Sequence, residues 1–152
     1  MKTPLRAALA TLAAVLLLPL PGAAVSASSR AAETPRASAY AGTWHGTTGQ
    51  DKAMTFRVNA RGRVTFMKFA WVAGGGGCQF SATTTLRSLS APINAHKRFK
   101  VQSEAANTSI LVKGQMVTKS KATGSLRVTV VDTTGYGCSG TAQTSWTAHK
   151  GA

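Results

Sequence analysis

From residue 40 onward, apolar side chains return at every second position and nowhere at the 3.6-residue spacing of an amphipathic helix. Successive side chains of a strand point to opposite faces, so this period gathers the apolar residues on one side only if the chain is extended. Residues 52–59 show it best, with Met54, Phe56 and Val58 on one face and Thr55, Arg57 and Asn59 on the other. Further alternating runs cover 40–48, 64–71, 78–86, 110–117, 124–131 and 138–148, with a less regular pair around Ile93, Phe99 and Val101. Turn residues part them, as at Ala60-Arg61-Gly62-Arg63, where Gly62 suits a positive φ. The strand after that turn starts in one phase (Val64, Phe66) and continues in the other (Met67, Phe69, Trp71), so a β-bulge is expected near Phe66 and Met67. The predicted fold is all-β: a single antiparallel β-sandwich or small β-barrel of about eight strands. Phe56, Phe66, Phe80, Phe99 and Trp146 fall on core phases. Trp44 on the first strand is expected to meet Trp146 on the last, because pairing first with last hides two sheet edges.

Residues 1–27 have a different texture. Lys2 and Arg6 form a basic start, 7–18 is an unbroken apolar run, and small residues follow up to Val25-Ser26-Ala27. This is the layout of a secretory signal peptide, with cleavage expected after Ala27. A run of twelve positions is too short to span a bilayer as a helix, and no cysteine near the cleavage point offers a lipid attachment. The expected location is secreted or extracytoplasmic, with no membrane span. Residues 28–39, small and aperiodic, read as a tether, and 40–152 as one β domain with one core.

Export sets the chemistry of the two cysteines, Cys78 and Cys138. The simplest outcome is one disulfide; a free-thiol pair or a two-cysteine metal site are the alternatives, the latter without histidines at ligand spacing. Both cysteines open a strand directly after glycine, in GGGGCQF and GYGCSG, which places the two strand starts at one end of the sheet.

The chain carries 18 Lys and Arg against 4 Asp and Glu, and removal of Lys2 and Arg6 leaves a net charge of +12. Such an excess attracts polyanions in a salt-dependent way, or serves solubility alone. Two segments concentrate it: Lys97, Arg98 and Lys100, and Lys113, Lys119 and Lys121. If the two segments pair, they form one basic face.

Tyr40-Ala41-Gly42-Thr43-Trp44, followed by a polar turn and an alternating hairpin, resembles the opening of calycin barrels: lipocalins, avidins and small periplasmic inhibitors of secreted proteases. The resemblance covers about the first 30 residues of the domain and implies structural roles for Gly42 and Trp44. No Trp lies between Trp71 and Trp146, so the aromatic cage of avidins has no counterpart, and the later lipocalin motifs are absent. A broader likeness runs through Gly42-x-Trp44, Thr48-x-Gln50, Phe56-x-Val58, Cys78, Ala122-x-Gly124, Cys138-x-Gly140 and Trp146-Thr147-Ala148. This pattern is similar to a group of small exported bacterial all-β domains to which no activity attaches.

Catalytic groups are sparse. The four acids past the leader are Glu33, Asp51, Glu104 and Asp132, one in the tether and three in predicted turns. A glycosidase pair would need Asp51 to meet Asp132 or Glu104 in space. His45, His96 and His149 stand without a nucleophile elbow, and His45, next to Trp44, reads as an exposed strand histidine. The four glycines at 74–77 lack the lysine and helix of a phosphate-binding loop. No catalytic residue, cofactor or metal is expected. Trp71 beside that loop and Tyr136 between glycines are candidate exposed aromatics for a sugar ring or a partner; Trp71 suits a core cap equally well. The expected function is a non-enzymatic binding module, with an anionic envelope polymer or another polyanion as ligand. A protein-directed inhibitor or effector is the alternative, and a hydrolase on a β scaffold the third.

Overall fold

The computed structural model describes residues 37–75, 77–131 and 137–151, and among them there are nine strands and no helix. The strands are β1 (Gly42–Thr48), β2 (Ala53–Val58), β3 (Arg63–Gly75), β4 (Cys78–Leu86), β5 (Ala91–Pro92), β6 (Arg98–Ala105), β7 (Thr108–Met116), β8 (Lys121–Val131) and β9 (Ser139–Lys150). All pairings are antiparallel, in the lateral order β4-β3-β2-β1-β9-β8-β7-β6, with β5 against the start of β3. A further pairing, Gly74 with Thr141, joins β3 directly to β9. The circuit β3-β2-β1-β9 is thereby closed, and the architecture is a closed antiparallel barrel with extra strands.

The first strand does pair with the last: Thr48 lies opposite Trp146 and Trp44 opposite Lys150. Beyond the β1–β2 turn the Gln50 side chain takes over the role of a strand. Its Nε2 donates to the Val72 carbonyl (2.7 Å) and its Oε1 accepts the Val72 N–H (3.1 Å). Nothing in the alternation pattern marks Gln50 for this.

The core is one cluster. Trp44 and Phe56 stack at 5.5 Å between ring centroids, and Phe56 meets Trp146 edge-on and Phe99 at a tilt, both at 5.7 Å. Gly114 and Gly124 lie opposite each other on β7 and β8, beneath Phe99 and Trp146. A Cβ at Gly114 would enter the Phe99 ring, and one at Gly124 would meet the Lys113 carbonyl and the Trp146 indole. Both positions therefore need glycine for close approach rather than for backbone freedom.

The two buried indoles differ in one respect. Trp44 Nε1 donates to the Tyr40 carbonyl at 3.0 Å, whereas Trp146 Nε1 has no partner among the described residues. An unpaired buried donor costs free energy that a bonded one does not. Trp44→Phe is therefore expected to destabilise more than Trp146→Phe, by about 1 kcal/mol. Urea unfolding of the two variants checks this; an equal or larger loss for Trp146→Phe contradicts it.

The expected bulge lies slightly earlier than its predicted position. Arg57 pairs with Phe66 and Val58 with Val64, so Thr65 is the extra residue. Val64 points inward, Phe66 turns outward, and Met67, Phe69 and Trp71 resume the inner face. This corrects the core assignment of Phe66. Its half-exposed ring instead lies beneath the guanidinium groups of Arg57 (5.2 Å) and Arg87 (5.8 Å). Phe80 is also only partly buried, because β4 overhangs the barrel as an outer strand. Gly62 has the positive φ expected of it, 71°.

Cys78 and Cys138 are bonded, with Cα atoms 5.9 Å apart. Cys78 opens β4 and Cys138 immediately precedes β9, so the bond ties the starts of these two strands together where β3 meets β9. Backbone bonding to the barrel extends back to Ser38, whose N–H donates to the Ala60 carbonyl.

Candidate functional site

On β6 and β7 the buried residues are Phe99, Val101, Ile110, Val112, Gly114 and Met116, and their chain neighbours must face out. Alternation thus turns Arg98 and Lys100 on β6, Lys113 on β7 and Arg127 on β8 to the outer surface. Register then makes them neighbours. Lys100 lies directly opposite Lys113, and Arg98 opposite Gln115. Lys113 in turn pairs with Ser125, and Leu111 with Arg127. Directly opposed residues have Cβ atoms about 4.5–5.5 Å apart and diagonal ones about 7–8 Å. Lys113 therefore has Lys100 beside it and Arg98 and Arg127 on its diagonals.

Two shallow depressions adjoin across this group. One, of about 310 Å³, is walled by Arg98, Lys113, Gln115, Thr123 and Ser125 over the Gly114–Gly124 pair. The other, of about 380 Å³, lies between Arg98, Lys100, Lys113, Asn94 and Pro92. Two cations, two hydroxyls and an amide around one hollow suit the oxygens of a phosphate, sulfate or carboxylate group.

Like charges placed directly opposite on a sheet destabilise it, so the Lys100–Lys113 pair costs energy unless an anion lies between. Four other basic side chains are already engaged. Arg57 and Arg87 face Phe66, Arg63 donates to the Ser90 carbonyl, and Lys150 donates to the Ala39 carbonyl. The side chains of Arg98, Lys100, Lys113 and Arg127 have no bonding partner among the described residues, a freedom they share with Lys68, Lys97, Lys119 and Lys121; what sets them apart is the register that brings them together.

The remaining predicted basic residues sit at the end of the same hairpins. The Lys97 carbonyl accepts the Met116 N–H, and Lys119 and Lys121 frame the β7–β8 turn, where Thr118 Oγ1 accepts from Ser120 and Lys121. Lys121 stands four residues before Ser125 on β8, roughly 13 Å along the strand. The basic residues thus form a tight group on β6–β7 and a looser one at its margin. Arg127 belongs to the tight group and escaped the sequence reading because it is isolated in sequence. Its outward phase between Leu126 and Val128 was legible, its neighbours were not.

Trp71 is a core residue: it is 6% exposed and its Nε1 donates to Thr84 Oγ1 at 2.8 Å. Buried and bonded in this way, Trp71 is a core cap and offers no surface to a ligand. Tyr136 and Asp132 lie outside the described residues. Asp51 sits in the β1–β2 turn and Glu104 near the end of β6, accepting from Gln102. No group of three or more metal-binding side chains occurs among the described residues. No family model matches the chain, and no curated protein matches it.

Proposed function

We propose that this protein is an exported binding module whose β6–β7–β8 face takes an anionic polymer of the cell envelope or a similar polyanion. The Lys100–Lys113 pair carries this reading: two unpartnered cations held side by side, with Arg98 and Arg127 on the diagonals, make a site that gains energy when an anion arrives. The leader-like residues 1–27 and the disulfide support export. No helix among the described residues is long and apolar enough to cross a membrane.

The test is retention on a polyphosphate or sulfated-polysaccharide resin across a salt series. Each phosphate-like contact contributes roughly 0.7–0.9 to the slope of log affinity against log salt. Lys100→Glu with Lys113→Glu is expected to reduce that slope by at least two such contacts, roughly 1.4–1.8, and to abolish retention at moderate salt. Arg57→Glu with Arg63→Glu, the same charge change on the other hairpin, is expected to lower retention only slightly. If the two double variants weaken binding equally, the positive charge is general and the face is not a site.

A protein-directed role has one observation in its favour. The outer strand β4 carries no charged residue from Cys78 to Leu86 and pairs on one side only among the described residues. An uncharged edge is a template for strand addition by an extended segment of a target protein. Capture of a secreted protease that persists at high salt would place the function there.

A further inference from the structure

His45 and His149 come from opposite ends of the domain, and the pairing of β1 with β9 sets them directly opposite each other. Both are exposed and stand on the outer face, since their neighbours Trp44 and Ala148 are wholly buried. At that register their Cβ atoms are about 4.5–5.5 Å apart, so two imidazoles leaning together can bring one nitrogen each to a common ion. Metal–imidazole bonds of about 2.0–2.1 Å fall within this reach.

The surroundings of His45 favour ligation through one particular nitrogen. Nδ1 lies 3.4 Å from the Thr55 hydroxyl, which occupies that side of the ring and fixes its orientation. The Cδ2–Nε2 edge of the ring lies against Gly151. A Cβ there would sit 3.2 Å from Cδ2 and 3.6 Å from Nε2. Because residue 151 is glycine, no side chain covers that edge, and Nε2 is the nitrogen left for a metal. On the far side of His149, Lys121 stands opposite on β8. No carboxylate belongs to this cross-strand row, so a hard cation such as Ca²⁺ or Mg²⁺ finds no ligands in it.

We propose that His45 and His149 form a two-imidazole site for a late first-row divalent metal, Cu²⁺, Ni²⁺ or Zn²⁺, bridging the first and last strands with solvent completing the coordination. The preference expected is that of imidazole ligands, with Cu²⁺ held most tightly. The site lies on β1 and β9, away from the tight basic group of Arg98, Lys100, Lys113 and Arg127, and only Lys121 at the margin adjoins it.

The test uses the untagged exported chain and Ni²⁺ alone, followed by calorimetry in a buffer without competing ligands. One equivalent is expected to bind, and the thermal midpoint to rise with metal, because the ion ties two strands together. His45→Gln and His149→Gln should each lower the affinity at least tenfold and remove the thermal shift. His96→Gln, in the turn before β6, should change neither. The proposal is overturned if the double variant His45→Gln/His149→Gln still binds one equivalent undiminished, or if His96→Gln weakens binding as much as the other two.

Discussion

Replacing Cys78 and Cys138 together by serine is expected to lower stability by about 4 kcal/mol, the largest loss available to a two-atom change in this chain. The bond closes a loop with a sequence separation of 60, and the cost follows from the chain entropy that such a loop returns to the unfolded state. The position of the bond makes the loss local as well as global. It lies where β3 and β9 meet through Gly74 and Thr141, just past the tip of the β1–β2 hairpin. In the reduced protein that closure is held by the Gly74–Thr141 pairing and the Gln50 bridge to Val72. Thermal unfolding of the double serine variant should fall by roughly 15–20 °C, and hydrogen exchange should rise first at 72–75 and 139–142. A midpoint within a few degrees of the parent would contradict the staple role.

Phe56→Ala is expected to cost about 3–5 kcal/mol, in the range for deleting a large core aromatic. Phe56 is fully buried and, among the described residues, is the one ring in contact with three others: Trp44, Phe99 and Trp146. Those rings stand on β1, β6 and β9, and Phe56 itself on β2, so the vacancy opens between four strands. Each surrounding ring is held by its own strand, which limits collapse into the space and places the cost toward the upper end. Set against a typical domain stability of about 5–15 kcal/mol, either this change or loss of the disulfide leaves a protein that unfolds readily. Denaturant unfolding monitored by tryptophan emission measures the loss; a cost below about 1.5 kcal/mol, the range of a volume-conserving swap, would mean the cluster repacks.

Much of this fold was legible in the chain because strand alternation is a local property. Met54, Phe56 and Val58 could be assigned inward from three positions, and the order from Cys138 to Ala148 held for every second residue. Where the local rule broke, it broke for a physical reason. The phase that Phe66 shares with Val64 predicts a core position, but the bulge falls at Thr65 and turns its ring out to Arg57 and Arg87. Trp71 had two readings, an exposed platform or a core cap. Thr84 on the neighbouring strand, which accepts the indole N–H, decided for the second.

The candidate site shows the same division. The outward direction of Arg98, Lys100 and Lys113 follows from alternation, and the short connection between their strands made a shared face easy to expect. Arg127 joined that face only through the β7–β8 register, and Lys121 was set apart from it by the same register. His45 and His149 are an extreme case, since no spacing in sequence relates them and a pairing between the chain's first and last strands makes them neighbours.

The sequence by itself determined that the chain is all-β and which residues of its regular strands turn inward, and it made a first–last strand pairing and a bond between two cysteines at matched strand starts the simplest expectations. These follow from period, turn chemistry and a single available cysteine partner. Only the tertiary structure decided that the barrel closes through Gly74 and Thr141, that Lys100 faces Lys113, and that two distant histidines stand side by side. Alternation fixes the face a side chain takes, whereas its lateral neighbour depends on strand order and register, which arise from contacts far apart along the chain.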